Sequence, residues 1–445
     1  MDFQKTAENM EQILKTRSLD GWEIFQVASR NLSIEVKEQK VDTFTSSQPV
    51  GVSVRIFKAG RIGFSFSTSL DEPDLSKMVD SALVGAENQT ADECLGFPGP
   101  LSYPEMPVLV DEGLSLVGEG EKIERAVELE RLTLAADFRI KRVRKASYGE
   151  SSYEVFIRNS LGVNGSYRAT SVSSSVSAVA EQNGDSQMGW DFGFSTFFSG
   201  VDIETIARTA AANAASLLGA RKIPTMRCPV LLDNRVATEI LEILAPAFLA
   251  ENVQKGKSLL AGREGARLFA PCLRIRDDGT LAGGIATAPF DGEGYPQQNT
   301  VLVEDGVLRR FLYDGYCARR EGDVSTGNSS RSGVKGPPRM GINNFFIENG
   351  IAPAESLMKG IDRGILVTSV MGMHTANPIS GDFSVGAAGL LIENGAVTSP
   401  VKGIAIAGNI LELFRDVEGT GNDLRFFGAV GSPCLRISAL DISGE

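Results

Sequence analysis

Histidine occurs once in this chain of 445 residues, at position 374. Imidazole is the commonest metal ligand and the usual acid–base group near neutral pH. A multi-histidine metal site is therefore excluded, and so is most histidine-based chemistry elsewhere in the chain. His374 lies in Gly372-Met373-His374-Thr375-Ala376-Asn377-Pro378-Ile379-Ser380-Gly381-Asp382-Phe383-Ser384, which has neither helical nor strand periodicity although apolar strands flank it. Long loops of this kind tend to carry function. Two readings are open. Either Asn377-Pro378 and Ser380-Gly381-Asp382 form an ordered turn capping a barrel, or His374, Asn377, Ser380 and Asp382 line a cavity where an extended peptide docks by strand addition. Asn328, in Ser325-Thr326-Gly327-Asn328, invites the same two readings.

The carboxylates Asp291, Glu293 and Asp382 could form an oxygen-rich cation site. Their spacing matches no ligand loop, so turn-forming and surface roles are expected. A serine or cysteine nucleophile usually needs a histidine base. The one histidine has no neighbouring Ser-x-Gly elbow, which counts against a metal-independent hydrolase.

Bulk composition narrows the function classes. Apolar residues at 42% and charged residues at 22% are ordinary for a globular protein. A net charge of -12 argues against direct nucleic-acid binding, which rewards clustered Lys and Arg. The basic run from Arg139 to Lys145 is expected as an edge strand, where positive charge blunts edge-to-edge pairing. Five scattered cysteines, with no C-x-x-C pair, form neither a disulfide framework nor a zinc ribbon and point to a reducing, cytoplasmic location. The N-terminus does not read as a signal sequence. No uncharged apolar run reaches the ~20 residues of a membrane span, so no membrane contact is expected.

The elements that must position these residues follow from periodicity. An amphipathic helix reaches about Leu19, strands fall at 22–27, 32–36, 50–57 and 62–66, and helices at about 74–87 and 121–136. Serine-rich strands run from Ile140 to about Phe198, with one polar face, and an alanine-rich helix covers 203–218. A composition shift at Lys222-Ile223-Pro224 marks a boundary between residues 1–224 and 225–445. Beyond it, Asp305-Gly306, Asn349-Gly350 and Asn394-Gly395 read as type I′ hairpins, most clearly the first and third. One clear helix begins at Asp233 or Asn234 and should kink or end near Ala245, before Pro246. The expected class is α+β: a mixed α/β N-terminal domain, then a predominantly antiparallel, barrel-like C-terminal domain.

The second half resembles the C-terminal domain of the TldD/PmbA family, whose older label is modulator of DNA gyrase. The resemblance rests on the helix followed by Lys255-Gly256-Lys257-Ser258, on 290–296, 312–319 and 325–328, and most strongly on 377–384, 392–395 and 401–410. One branch of that family carries His-Glu-x-x-x-His on this helix and binds zinc as a metallopeptidase. An ungapped match puts those positions at Leu241, Glu242 and Pro246, so the chain resembles the other branch, PmbA or TldE, which lacks the zinc site. The resemblance implies no metal or cofactor in this chain and zinc only in a TldD-type partner subunit. It also implies a heterodimer acting on unfolded or extended peptides, with a homodimer plausible in isolation. The rival reading is a scaffold that modulates a protein partner such as DNA gyrase.

Overall fold

A computed structural model describes residues 2–445. The first half builds a seven-stranded antiparallel sheet from β1 (Gly21–Lys37), β2 (Lys40–Ser47), β3 (Val50–Lys58), β4 (Arg61–Ser67), β5 (Ile140–Asn159), β6 (Asn164–Gln182) and β7 (Asp185–Ser195). The order is β4-β3-β1-β5-β6-β7, with β2 paired to the far half of β1. One face is covered by α1 (Phe3–Lys15), α2 (Glu72–Glu87), α3 (Glu119–Ala136) and α4 (Ile203–Ser216). Period-two alternation selects the residues that meet them. Ile24, Val52, Val54 and Ile56 pack with Phe3, Met10, Met78 and Ala82, while Ile34, Tyr148, Val172 and Val176 pack with Leu129, Ile206 and Ala210. A Cβ at Gly189 would sit 2.2 Å from the backbone nitrogen of Ala214, so α4 approaches β7 closely only because that residue is glycine.

The sheet departs from its sequence pattern in three ways. The strands expected at 22–27 and 32–36 are one continuous β1. Strand β2 carries no pattern to read, because all its residues are exposed. Its turn, Glu38-Gln39, takes φ of 53° and 59° without glycine or asparagine. Glu130 of α3 holds it, accepting from the backbone N–H groups of Glu38 and Gln39 at 2.9 and 2.7 Å. The basic run 139–145 enters an inner strand rather than an edge strand. Residues 140–145 nevertheless pair with β6 alone, since pairing with β1 starts at Ala146, and so form a local edge.

In the second half, β8 (Met226–Leu232) and α5 (Asn234–Leu244) precede α6 (Ala250–Gln254), β9 (Ile275–Asp278), β10 (Asn299–Glu304), β11 (Val307–Leu308) and α7 (Gly315–Glu321). The pair β12 (Ser329–Ser330) and β13 (Arg339–Met340) leads to β14 (Phe345–Ile347), β15 (Arg363–Met371), β16 (Asp382–Glu393) and β17 (Ala396–Asn409). After α8 (Ile410–Arg415) come β18 (Val417–Thr420), β19 (Arg425–Phe427), β20 (Val430–Ser432) and β21 (Leu435–Ser443). Strands β17-β16-β15-β8-β21 close into a five-strand barrel, because β17 also pairs with β21, Ile406 opposite Ile442. A second sheet runs β11-β10-β9-β14-β20-β19. The α+β expectation, with a mixed first half and a barrel-like second half, matches this architecture. Pairing is mostly antiparallel, with β8–β15 and β14–β20 parallel. No helix among the described residues is long and apolar enough to cross a membrane.

Asp305-Gly306 and Asn394-Gly395 make the expected hairpin turns, with all four φ angles positive. Asn349-Gly350 does not. The Gly350 N–H instead donates to the Gly421 carbonyl at 2.7 Å, and a Cβ there would meet the Thr420 carbonyl at 2.1 Å. The chain is pinned to a distant segment at that point instead of folding back on itself.

The second face of the large sheet meets the barrel half. Phe25, Val155 and Ile157 pack with Phe290 and Val334. Beside them lies a buried ionic cluster. Arg55 Nε and Nη2 donate to the two oxygens of Glu23 at 2.9 and 2.5 Å, and its Nη1 donates to Glu293 at 2.9 Å. Arg331 also pairs with Glu23, and all four side chains are at most 7% exposed. Glu23 and Arg55 come from the sheet, Glu293 and Arg331 from the barrel half. Such a cluster adds little net stability, but removing one partner strands a buried charge. Glu23→Gln should therefore lower unfolding stability by about 3–5 kcal/mol, measured as a fall in the urea midpoint. Lys77→Ala, which breaks an exposed pair with Asp74, should leave that midpoint near its starting value.

Candidate functional site

Helix α5 and the turn after it carry the positions that the resemblance matches to the zinc motif, and the start of the helix is well defined. Asp233 caps it, accepting from the Val236 N–H at 2.8 Å. The helix gives way at Ala245 to a 3-10 turn, Ala245–Phe248, which contains Pro246. One face carries Val236, Ala237, Ile240, Leu241 and Leu244 into the core that links the barrel to the second sheet. Leu241 is 0% exposed. Glu242, about 100° further round the helix, is exposed. Leu241 and Pro246 offer no lone pair to a metal, so the donor set at these positions does not fit zinc. Among the described residues, no three His, Cys, Asp or Glu side chains gather so as to hold a metal ion.

His374, Asn377, Ser380 and Asp382 are together on one loop, but on an open surface rather than around a cavity. Asn377 Oδ1 accepts from the Ile379 and Ser380 N–H groups at 2.9 and 3.2 Å. Asn409 Nδ2 donates to Ser380 O and Asp382 Oδ1, and the Asn409 amide holds the Asp382 carboxyl below its ordinary pKa. The side chains of Asn377, Ser380 and Asp382 are thus occupied in shaping the loop. Asn328 is elsewhere and buried. Its amide donates to Asp277 and Gly341, and its oxygen accepts from Thr326, so it has nothing left to offer a peptide.

The three candidate carboxylates do not meet, since Asp382 is exposed while Asp291 and Glu293 are buried. The surface role expected for the last two is incorrect. Asp291 does shape the turn, accepting from the N–H groups of Glu293, Tyr295 and Ser329 at 2.8–3.0 Å. Burial, with Glu293 adjacent, raises its pKa. Burial works against the charged form of Glu293 too, but Arg55 outweighs it and holds that pKa down. Nearby Asp277 is pushed up to about 6 by burial, against the donors Asn328 and Asn343. Burial also raises the thiols of Cys317 and Cys434, away from the reactive thiolate.

The sequence pattern did not disclose the setting of the serine-rich strands. Beyond Phe25 and Val155, the barrel-side face of the sheet carries Ser147, Ser151, Ser171, Ser173 and Ser175, all half-buried. Along the same face of β7 run Trp190, Phe192 and Phe194, stacked at 5.8 and 6.3 Å between ring centres. Phe427 of β19 lies 5.7 Å from Phe192, and Arg235 of α5 sits 4.4 Å over Trp190. The degenerate helix therefore borders the aromatic end of the serine face.

Two outcomes follow for this region. Leu241→His should cost about 2–4 kcal/mol of stability by burying an unpaired polar ring, without zinc uptake, whereas Glu242→Gln should fall within about 0.5 kcal/mol of the parent; denaturation curves with zinc analysis check both. For Asp277, a folded pKa near 6 exceeds the unfolded value of about 3.9. Its stabilising share is complete below about pH 4 and is lost as the pH rises through about 6, roughly 3 kcal/mol in all. Denaturation midpoints should fall across that window and fall less steeply in Asp277→Asn.

Sequence comparison agrees with this geometry. The PmbA/TldA metallopeptidase domain 1, central domain and C-terminal domain profiles match residues 22–86, 113–218 and 225–444. The chain is 28% identical over 430 residues to metalloprotease PmbA of Escherichia coli O157:H7, covering 96% of this chain and 93% of that one. A Haemophilus influenzae protein named as a metalloprotease TldD homolog is 25% identical over 470 residues, covering 99% and 96%. A Thermotoga maritima structure with the provisional name modulator of a DNA gyrase superposes with a TM-score of 0.91 at 28% identity, covering 99% and 100%. TldE from Thermococcus kodakarensis shares the fold, with a TM-score of 0.91 at 24% identity and coverage of 99% and 100%. The chain belongs to the PmbA/TldD metallopeptidase family.

Proposed function

We propose that this chain is the non-catalytic subunit of a TldD/TldE-type peptidase complex acting on unfolded or extended peptides. Zinc and hydrolysis come from a TldD-type partner, and this chain supplies structure and peptide contacts. The observation that supports the reading is Leu241, a side chain without a donor atom, sealed in the core at a position that the family resemblance matches to a zinc ligand. Pro246 repeats the loss one turn on. The proposal includes a functional division at residue 225, a cytoplasmic location and a homodimer when the partner is absent. A surface shaped for a homologous subunit can pair with itself. The scaffold reading has no specific structural feature in its favour, and the net charge of -12 opposes direct DNA contact.

Zinc analysis and peptidase assays on the chain alone, on its TldD-type homologue alone and on the mixture test the proposal. The chain alone should hold no stoichiometric zinc and cleave nothing, and cleavage should require the mixture. Stoichiometric zinc with cleavage by the chain alone would overturn it. Cleavage by no combination would favour the scaffold.

A further inference from the structure

Between the sheet and the barrel half lies a cavity of about 320 Å³. Its size is at the lower end of the range for small-molecule sites. Phe25, Tyr153 and Tyr167 wall it from the sheet, and Phe290, Asp291 and Arg331 from the barrel half. Tyr153 and Tyr167 are half-buried and Ser330, also in the wall, is exposed, so solvent reaches the cavity. Tyr167 stands opposite Val155 and Tyr153 opposite Ala169, on adjacent strands. The Tyr167 ring is nearly perpendicular to both of its aromatic neighbours. It makes 81° with Tyr153 at 6.2 Å and 78° with Phe290 at 5.2 Å. Rings set this way form the corner of a box rather than a stack. Burial raises both phenols, and no hydrogen-bonding partner contributes to either shift. Both oxygens are therefore available as acceptors.

We propose that this cavity binds a primary ammonium group, held by the aromatic rings and by the oxygens of Tyr153, Tyr167 and Asp291. The inference goes beyond the subunit reading and does not depend on it. A cation is attracted to the faces of aromatic rings, and more strongly where water is displaced. Its three N–H donors also need acceptors. The two phenols and the carboxyl supply them from the walls of one cavity.

The charges at this junction favour a cation over an anion or a neutral ligand. Arg55 and Arg331 are paired with Glu23 and Glu293, which leaves Asp291 as a third carboxyl without a counter-charge. Its partners are backbone N–H groups of Glu293, Tyr295 and Ser329. Burial beside Glu293 therefore keeps a proton on it. An entering ammonium can take the place of that proton, which passes to solvent. Arg331 does not compete for the site, since it is committed to Glu23 and to the Gly292 carbonyl and lies 4.3 Å over the Phe25 ring. An anion would face the buried Asp291 carboxyl, which is costly. An apolar ligand would leave the phenols and the carboxyl without a partner.

Calorimetric titration of the full chain at neutral pH and constant ionic strength compares n-butylammonium with 1-butanol, which has the same carbon chain and no charge. The ammonium should bind saturably, and the alcohol about tenfold more weakly or worse. Tyr167→Leu, which removes a ring and an oxygen, and Asp291→Asn, which removes the carboxylate, should each weaken the ammonium about tenfold. Tyr167→Phe keeps the ring and should fall between parent and Tyr167→Leu. Three Gly/Ser peptides distinguish the source of the group: one with a free N-terminus, one N-acetylated, and one N-acetylated with a single lysine. Binding of the first alone assigns the site to a chain terminus, and binding of the third alone to a lysine side chain. Binding of both assigns it to either source, and binding of n-butylammonium without any peptide to a small free amine. Equal affinity for n-butylammonium and 1-butanol would overturn the site. So would failure of every ammonium probe to bind, equal binding of all three peptides, or affinity unchanged in both Tyr167→Leu and Asp291→Asn. None of these results touches the subunit reading, which stands or falls on cleavage by the mixture.

Discussion

Two arginines and two glutamates, buried where the sheet meets the barrel half, fix the arrangement of everything else. Each half contributes one charge of each sign, and the pairs Arg55–Glu293 and Arg331–Glu23 cross the junction. Charges removed from water tolerate few geometries, because every donor must find an oxygen. Glu23 answers both Arg55 and Arg331, and Glu293 turns its second oxygen to the Gly315 N–H at 3.1 Å. The cluster therefore acts as a register pin between halves. It lies beside the apolar contact of Phe25 and Val155 with Phe290 and Val334.

Much of the second half was legible because its signals are local. Asp233 caps α5 and Pro246 ends it, within the helix's own span. Asp305-Gly306 and Asn394-Gly395 fold back because the dipeptide itself favours the dihedrals required. Asn349-Gly350 has the same chemistry, yet its backbone is claimed by Gly421, about 70 residues later in the chain. Long-range partners also explain why Asp291 and Glu293 looked like surface residues. The stretch Asp291-Gly292-Glu293-Gly294 reads as an exposed turn until Arg55, 238 residues away, is brought against it.

The candidate site was legible in one respect and hidden in another. At positions 241 and 246, residue type alone says that neither side chain can ligate a metal. The alternation of serines in β6 was equally plain, but a polar face in sequence does not say what stands opposite it. Here the opposite wall comes from the Gly283–Phe290 region and from Phe427, segments with no pattern that ties them to β6. His374, the chain's most unusual residue by type, sits on an exposed loop.

The hairpin of β1 and β2 has a consequence for the order of assembly. Its turn holds Glu38 and Gln39 in the left-handed region, which neither residue adopts readily, and the carboxylate that compensates belongs to Glu130, more than 90 residues downstream. A hairpin with Asn-Gly at its tip can nucleate from its own sequence. In this one the carboxylate that holds the turn comes from α3, synthesised later in the chain. An edge strand early in the chain thus depends for its turn on a helix from much later in the sequence.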